Sequence, residues 1–218
     1  MILNQHGINA QGTGLAPDEV LIGGRIYHIV TIGSQVWLVE NLQYIFDGLS
    51  VSTADAPISG SPTTPTAWYY DNDAATYGLD GPKPCGLLYN WAAVDYLEQN
   101  KADLCPGWHV PTSDEWTTLT NTLGGLTHAD ELKAADNAFG TWPTSWNGTN
   151  STGFSAVPGG RYWNSTFAEL DTYGRYWTAT QDSDTTKAIE RRFNSTATLG
   201  SYIGVKVNGL SLRLVKDV

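Results

Sequence analysis

The last third of the chain sets the tightest limit on the fold. From Thr141 onward the helical period vanishes, and short β-prone runs alternate with Gly, Asn and Ser turns. The runs are Gly153 to Val157, Arg175 to Ala179, Ala188 to Asn194, Ser201 to Val207 and Leu210 to Val215. Runs of this length, rich in β-branched and aromatic residues and bounded by turn residues, read as antiparallel strands.

The front of the chain is different. Gly24 to Ile32 and Val36 to Leu42 are β-branched-rich, and Gly33-Ser34 between them suits a type II′ turn, so a hairpin opens the domain. Met1 to Asp18 is polar, Gly-rich and aperiodic, and residues 1–22 are read as a tail or linker; residues 23–218 are expected to form a single domain. Ser50 to Thr66 is a Pro-containing surface loop. Leu87 to Val94 predicts a short helix, with Leu87, Trp91 and Val94 on one face. Thr112 and Glu115 form a T-x-x-E capping box, which satisfies two orphan helix-start amides reciprocally. Trp116, Leu119 and Leu123 mark that helix's face, and Gly124-Gly125 ends it with a left-handed cap. A shorter helix is expected over Ala129 to Ala135. A hairpin, then helices, then many strands indicates an α+β fold.

Charge and composition remove several functions. The chain carries 12 Lys and Arg against 22 Asp and Glu, a formal net charge of -10. Sequence-independent binding of nucleic acid needs the opposite sign, and the one dense basic spot is Arg191-Arg192. No apolar run approaches the ~20 residues of a membrane helix, so no membrane insertion is expected. The 9 Trp, 11 Tyr and 23 Gly suit loop-rich proteins that recognise surfaces.

Catalytic patterns are sparse. None of His6, His28, His109 and His128 stands three or four residues from another His; His109 stands four residues after Cys105, too few ligands for a metal site, and is read as a structural hydrogen-bonding residue. No G-x-S-x-G elbow occurs. Asp71 with Asp73, and Asp182 with Asp184, are read as turn-building pairs; calcium is the ion that such loop oxygens, with Asn72, would suit. No cofactor is expected. Cys85 and Cys105 either close a loop of about 20 residues, worth about 3 kcal/mol in the chain-entropy model, or stay as two buried thiols. The disulfide is the reading carried forward.

Several words occur in a telling order. They are Gly33 to Leu42 (GSQVWLVENL), Gly86 to Val94 (GLLYNWAAV), Leu104 to Trp116 (LCPGWHVPTSDEW), Gly153 to Gly160 (GFSAVPGG), Tyr176 to Thr180 (YWTAT) and Leu210 to Asp217 (LSLRLVKD). Together they resemble the Fibrobacter succinogenes major paralogous domain, a module abundant in secreted and surface proteins of Bacteroidetes and Fibrobacteres. The resemblance implies a C-type-lectin-like fold with two helices, a twisted antiparallel sheet with long loops, and first and last strands paired. It is kin to the formylglycine-generating enzymes, but their paired active-site cysteines near the C-terminus have no counterpart here. The family usually has Cys in the last strand, where this chain has Leu214, so Cys85 is the only partner left to Cys105. The lectin words Glu-Pro-Asn and Trp-Asn-Asp for calcium-dependent sugar binding are absent.

The resemblance implies a non-catalytic binding or adhesion module, extracellular, on a cell surface or virion, facing a protein or glycan ligand. Met1 to Leu15 shows no secretory signal, and carriage on a phage particle is one route that needs none. Alternation along Ala188 to Asn194 puts Phe193, Arg191 and Ile189 on one face and Glu190, Arg192 and Asn194 on the other. With Phe193 buried, the second set faces ligand, joined by Gln181, Asp182, Asp184 and Tyr202. Tyr162, Trp163, Tyr173 and Arg175 are added as contact residues of the kind found at binding hot spots. C-type-lectin-like proteins diversified by retroelements vary such positions, which makes this locus a candidate for diversification. The alternatives are a structural surface or pilus-tip unit and an enzyme of the formylglycine-generating type. A binding face should show exposed aromatics without a buried charged constellation; an enzyme should show a deep pocket with perturbed titratable groups.

Overall fold

A computed structural model of the chain describes residues 14–52, 63–135 and 142–217. The strands are β1 (Glu19–Ile22), β2 (Arg25–Ile32), β3 (Gln35–Leu38), β4 (Ser50–Val51), β5 (Thr66–Trp68), β6 (Leu88–Tyr89) and β7 (Gly159–Trp163). They continue with β8 (Thr166–Leu170), β9 (Gly174–Gln181), β10 (Lys187–Phe193), β11 (Gly200–Val205), β12 (Leu210–Ser211) and β13 (Val215–Asp217). The helices are α1 (Ala74–Tyr77), α2 (Trp91–Gln99), α3 (Lys101–Leu104), α4 (Ser113–Thr122) and α5 (Ala129–Leu132). The fold is mixed α+β with more sheet than helix. No helix among the described residues is long and apolar enough to cross a membrane.

Two sheets organise the molecule. The smaller runs β1-β2-β3-β13, so the chain's last strand pairs antiparallel with the second strand of the opening hairpin, Val215 opposite Trp37. Gly33 turns that hairpin at φ 62° while Ser34 stays outside the left-handed region, as type II′ demands. β1 lies within the stretch read as tail or linker: residues 19–22 belong to the sheet, and residues 1–13 lie outside the described residues. The larger sheet runs β11-β10-β9-β12-β6-β5-β4, with the β7–β8 hairpin joined to β9 through Gly160 and Gly174. Of the Ser50 to Thr66 loop, residues 53–62 lie outside the described residues.

The helix signals hold unevenly. α4 carries the full capping box: Thr112 Oγ1 accepts from Glu115 N–H, and Glu115 Oε2 accepts from Thr112 N–H at 2.7 Å. It ends in a Schellman arrangement, Gly124 N–H donating to Asn121 and Gly125 N–H to Thr120. The Leu87 to Val94 helix is shifted. Leu88 and Tyr89 are extended in β6, and the helix begins only after Asn90, whose side chain caps Ala93 N–H at 3.0 Å. α5 is a single turn. Gly153 to Val157 is irregular chain rather than a strand, with one isolated bridge from Ala156 to Lys133.

That irregular segment is held by a buried cation. Arg213 is fully buried between the rings of Phe154 and Tyr176. Its Nη1 donates to the carbonyls of Phe154 and Leu38, and its Nη2 to Asn41 Oδ1 at 2.7 Å and the Ser155 carbonyl at 3.4 Å. One guanidinium thus ties three of the sequence words together, those containing Asn41, Phe154 and Arg213 itself.

The cysteines are not bonded. Both are free and buried, Cys85 among Trp142, Trp146 and Tyr176, and Cys105 in the other large core cluster beside Trp108. The Cys105 thiol donates to the Trp108 carbonyl at 3.4 Å. The predicted disulfide is corrected: each sulfur fills a separate apolar pocket, and burial pushes both thiols up to about 12.

Candidate functional site

The candidate site is a cleft of about 400 Å³ on the larger sheet. Its floor follows from cross-strand pairing. Glu190 on β10 stands opposite Trp177 on β9 and Tyr202 on β11, while Arg192 stands opposite Arg175 and Gly200. Period-2 alternation therefore aims Glu190 and Arg192 into the cleft. Phe193 and Arg191 point the other way, Phe193 against Trp116 and Arg191 onto the start of α4 through Ser113 and Thr117.

The wall is the β7–β8 hairpin, which carries Arg161, Trp163 and Glu169. Its turn, Asn164-Ser165, has both residues left-handed at φ 50° and 61°, the type I′ geometry of a two-residue hairpin. Strict alternation would place Glu169 with Phe167, away from Arg161. The left-handed backbone at Glu169 (φ 67°) breaks the alternation and turns its carboxylate to the arginine side. A non-glycine residue in that region carries strain, which persists where the surroundings hold it. Opposite it, a side chain on Gly160 would meet the Ala168 carbonyl at 2.6 Å, so glycine is required.

Charge is concentrated here. Arg175, 4% exposed, donates to Glu169 through Nε (2.5 Å) and Nη2 (3.0 Å) and to Glu190 through Nη1 (2.5 Å). Arg161 adds a contact to Glu169 at 3.0 Å and lies over the Trp163 ring at 4.6 Å. Arg192 lies 3.3 Å from the Tyr202 ring centroid and 5.5 Å from that of Tyr173. Burial lifts the Glu190 carboxyl above its ordinary range against the pull of Arg175, Arg192 and Arg161. The expectation of no buried charge beneath a binding face is corrected. The floor holds a buried ion-pair network, which persists because both carboxylates are bound by Arg175. The cleft lining contains no His, Cys, Ser or Thr.

The residues expected at a ligand face divide. Trp163, Arg175, Glu190, Arg192 and Tyr202 line the cleft, and half-buried Tyr173 sits beneath Arg192. Trp163 and Tyr202 are each 44% exposed. Tyr162 is corrected: it is fully buried and stacked on Trp68 at 4.5 Å. Gln181 lies in a neighbouring groove, where it accepts from Lys206 over Trp91. Asp182 and Asp184 shape the β9–β10 turn, Asp182 accepting from Asp184 N–H and Asp184 from Thr186 and Lys187. Asn194 ends β10 in a local turn with Thr196, and its carbonyl accepts from buried Lys133. Asp73 caps α1 through Ala75 and Thr76 N–H. No group of three or more His, Cys, Asp or Glu converges among the described residues.

Sequence reasoning missed Arg161 and Glu169. The signal was present in the Asn-Ser turn flanked by alternating Tyr162 and Phe167, but without the Gly that usually announces such a turn.

These observations define an α+β domain with an open, aromatic-rimmed, charged cleft on its main sheet. The family model of the Fibrobacter succinogenes major domain matches residues 30–216, and the chain belongs to that family. No curated protein and no solved structure matches it.

Proposed function

We propose that this is a non-catalytic ligand-binding or adhesion module with a C-type-lectin-like fold, whose ligand face is the cleft between the β7–β8 hairpin and β10–β11. The observation that carries the reading is the pair of half-exposed aromatics at the rim, Trp163 and Tyr202, each stacked with an arginine. Such side chains give large contact area at low entropic cost and dominate binding energy at interfaces. The lectin-like fold is supported by the pairing of β13 with the opening hairpin and by the two principal helices α2 and α4. An extracellular setting, on a cell surface or phage tail, goes with the family resemblance, and diversification of the cleft codons goes with kinship of the fold to retroelement-diversified C-type-lectin-like proteins. Invariant codons at Glu190, Arg192 and Tyr202 across related strains would end the diversification idea.

An enzymatic reading has one observation in its favour, the buried Glu190 with its raised carboxyl. Against it stands the hydrogen bond from Arg175, which keeps that oxygen engaged, and a lining without a nucleophile–base pair. The test is a combined glycan and protein array with wild type, Trp163→Ala and Arg192→Ala. A ligand retained by wild type and lost by both variants is the expected result. A turnover activity abolished by Glu190→Gln would replace this reading with the enzymatic one.

A further inference from the structure

We infer that the cleft takes a sugar residue bearing a single carboxylate, a hexuronate or a nonulosonate, with the carboxylate on Arg192 and the ring against Trp163. This rests on the cleft being the ligand face.

The first argument is charge. Three arginines, Arg161, Arg175 and Arg192, face two glutamates, Glu169 and Glu190, so the cleft keeps one positive charge in a chain of formal charge -10. Arg175 is spent on both glutamates and Arg161 on one. Arg192 has no carboxylate within ion-pair distance among the described residues. One monoanion neutralises the cleft. A phosphate dianion would leave surplus negative charge beside two carboxylates, and a polyanionic chain would meet the repulsion of the whole molecule.

The second argument is geometry. Arg192 meets Tyr202 and Tyr173 through the faces of their rings. Stacking of this kind holds a guanidinium rigid while leaving its in-plane N–H donors free. A planar fork of donors matches a planar carboxylate bidentately.

The third argument concerns the rest of the ligand. An aliphatic acid needs an apolar channel, whereas this floor is ionic and would strand its own polar groups against hydrocarbon. Glu190 Oε1 is taken by Arg175, and Oε2 has no donor among the described residues. It is an acceptor for a ligand hydroxyl. A sugar offers hydroxyls to that floor and a C–H face to Trp163, and a cleft of about 400 Å³ is within the usual range for small-molecule sites (roughly 300–1,000 Å³).

Isothermal titration tests this with methyl glucuronide, the methyl glycoside of N-acetylneuraminate, methyl glucoside and glucose 6-phosphate. The proteins are wild type, Arg192→Gln, Arg192→Lys and Trp163→Ala, each first shown to melt with wild type. At least one carboxylated sugar should bind about tenfold or more tighter than the glucoside and the phosphate. Arg192→Gln should abolish that preference, Arg192→Lys should keep part of it, and Trp163→Ala should weaken every sugar. Binding of both carboxylated sugars no tighter than the glucoside, or a preference that survives Arg192→Gln, overturns the anionic assignment. Failure of all these sugars, while an array ligand is still lost on Trp163→Ala, overturns the sugar assignment and leaves the cleft as the ligand face. An array ligand held equally by wild type and both alanine variants overturns the cleft itself.

Discussion

At the residue scale, Arg213 shows how a single side chain fixes a region whose backbone follows no regular pattern. The stretch around Phe154 is extended enough in composition to predict a strand. Its carbonyls turn instead to a buried guanidinium, and burial lowers that group's proton affinity against the smaller pull of Tyr176 and Glu40. Arg213→Met should cost about 3–5 kcal/mol, since the carbonyls of Leu38, Phe154 and Ser155 and the amide of Asn41 lose their donor in a dry interior. Urea unfolding at neutral pH measures this, and an unchanged midpoint would contradict it. The thiols give a second test. Native protein should react with neither Cys85 nor Cys105 when treated with a thiol reagent, and both should titrate once guanidinium unfolds it; no thiol after unfolding would restore the disulfide. Tyr162 and Trp163 show what the sequence could tell. Both are large aromatics, but adjacent residues on a strand face opposite ways, so only one can reach ligand. Without the β7–β8 hairpin recognised, the two look alike.

At the element scale, α4 was legible because its start is written in local chemistry. Capping residues act within one turn and need no knowledge of the rest of the fold. The β7–β8 hairpin was not legible, since its turn lacks Gly and its strands make sense only beside β9. Glu169 was further hidden by the left-handed backbone that reverses its facing. His109 adds a tertiary contact to the α4 cap: its Nε2 lies 2.5 Å from Glu115 Oε1, while its backbone pairs with Val215. The hydrogen bond to Glu115 raises His109, and Glu115 is held down to about 2 by His109 and Thr112 against its burial. The sign follows. The raised histidine contributes fully below its unfolded value of 6.5 and loses its contribution as pH rises through the folded value. The depressed carboxyl contributes fully above its unfolded value of 4.5 and loses its contribution as pH falls toward about 2. The clamp should therefore be strongest between those unfolded values. His109→Gln should flatten stability on the alkaline side, by on the order of 1 kcal/mol, in urea midpoints taken across pH.

At the scale of the whole molecule, the cleft joins segments far apart in the chain: the β7–β8 hairpin, β9, β10 and β11. Alternation along β10 was enough to choose Glu190 and Arg192 from sequence, because a strand with one buried face allows little freedom in the other. It could not say that Glu190 would be pulled to the floor by Arg175, since that depends on which strand lies alongside. It could not say that Gln181, Asp182, Asp184 and Asn194 would fall outside, since each sits where a strand ends and the chain turns away. Gly204 shows how closely the floor is packed. A side chain there would meet the Trp177 ring at 2.7 Å and Glu190 Oε2 at 3.2 Å.

The central claim is that one face of this sheet is core and the other is a display surface, and neighbouring residues test it. Thermal melting and array-ligand retention should be measured together on Tyr162→Ala and Trp163→Ala. Tyr162→Ala should lower Tm by on the order of 10 °C, from the loss of a buried aromatic. Trp163→Ala should melt close to wild type and lose the ligand. A Trp163→Ala protein that melts as low as Tyr162→Ala while retaining ligand would contradict the account.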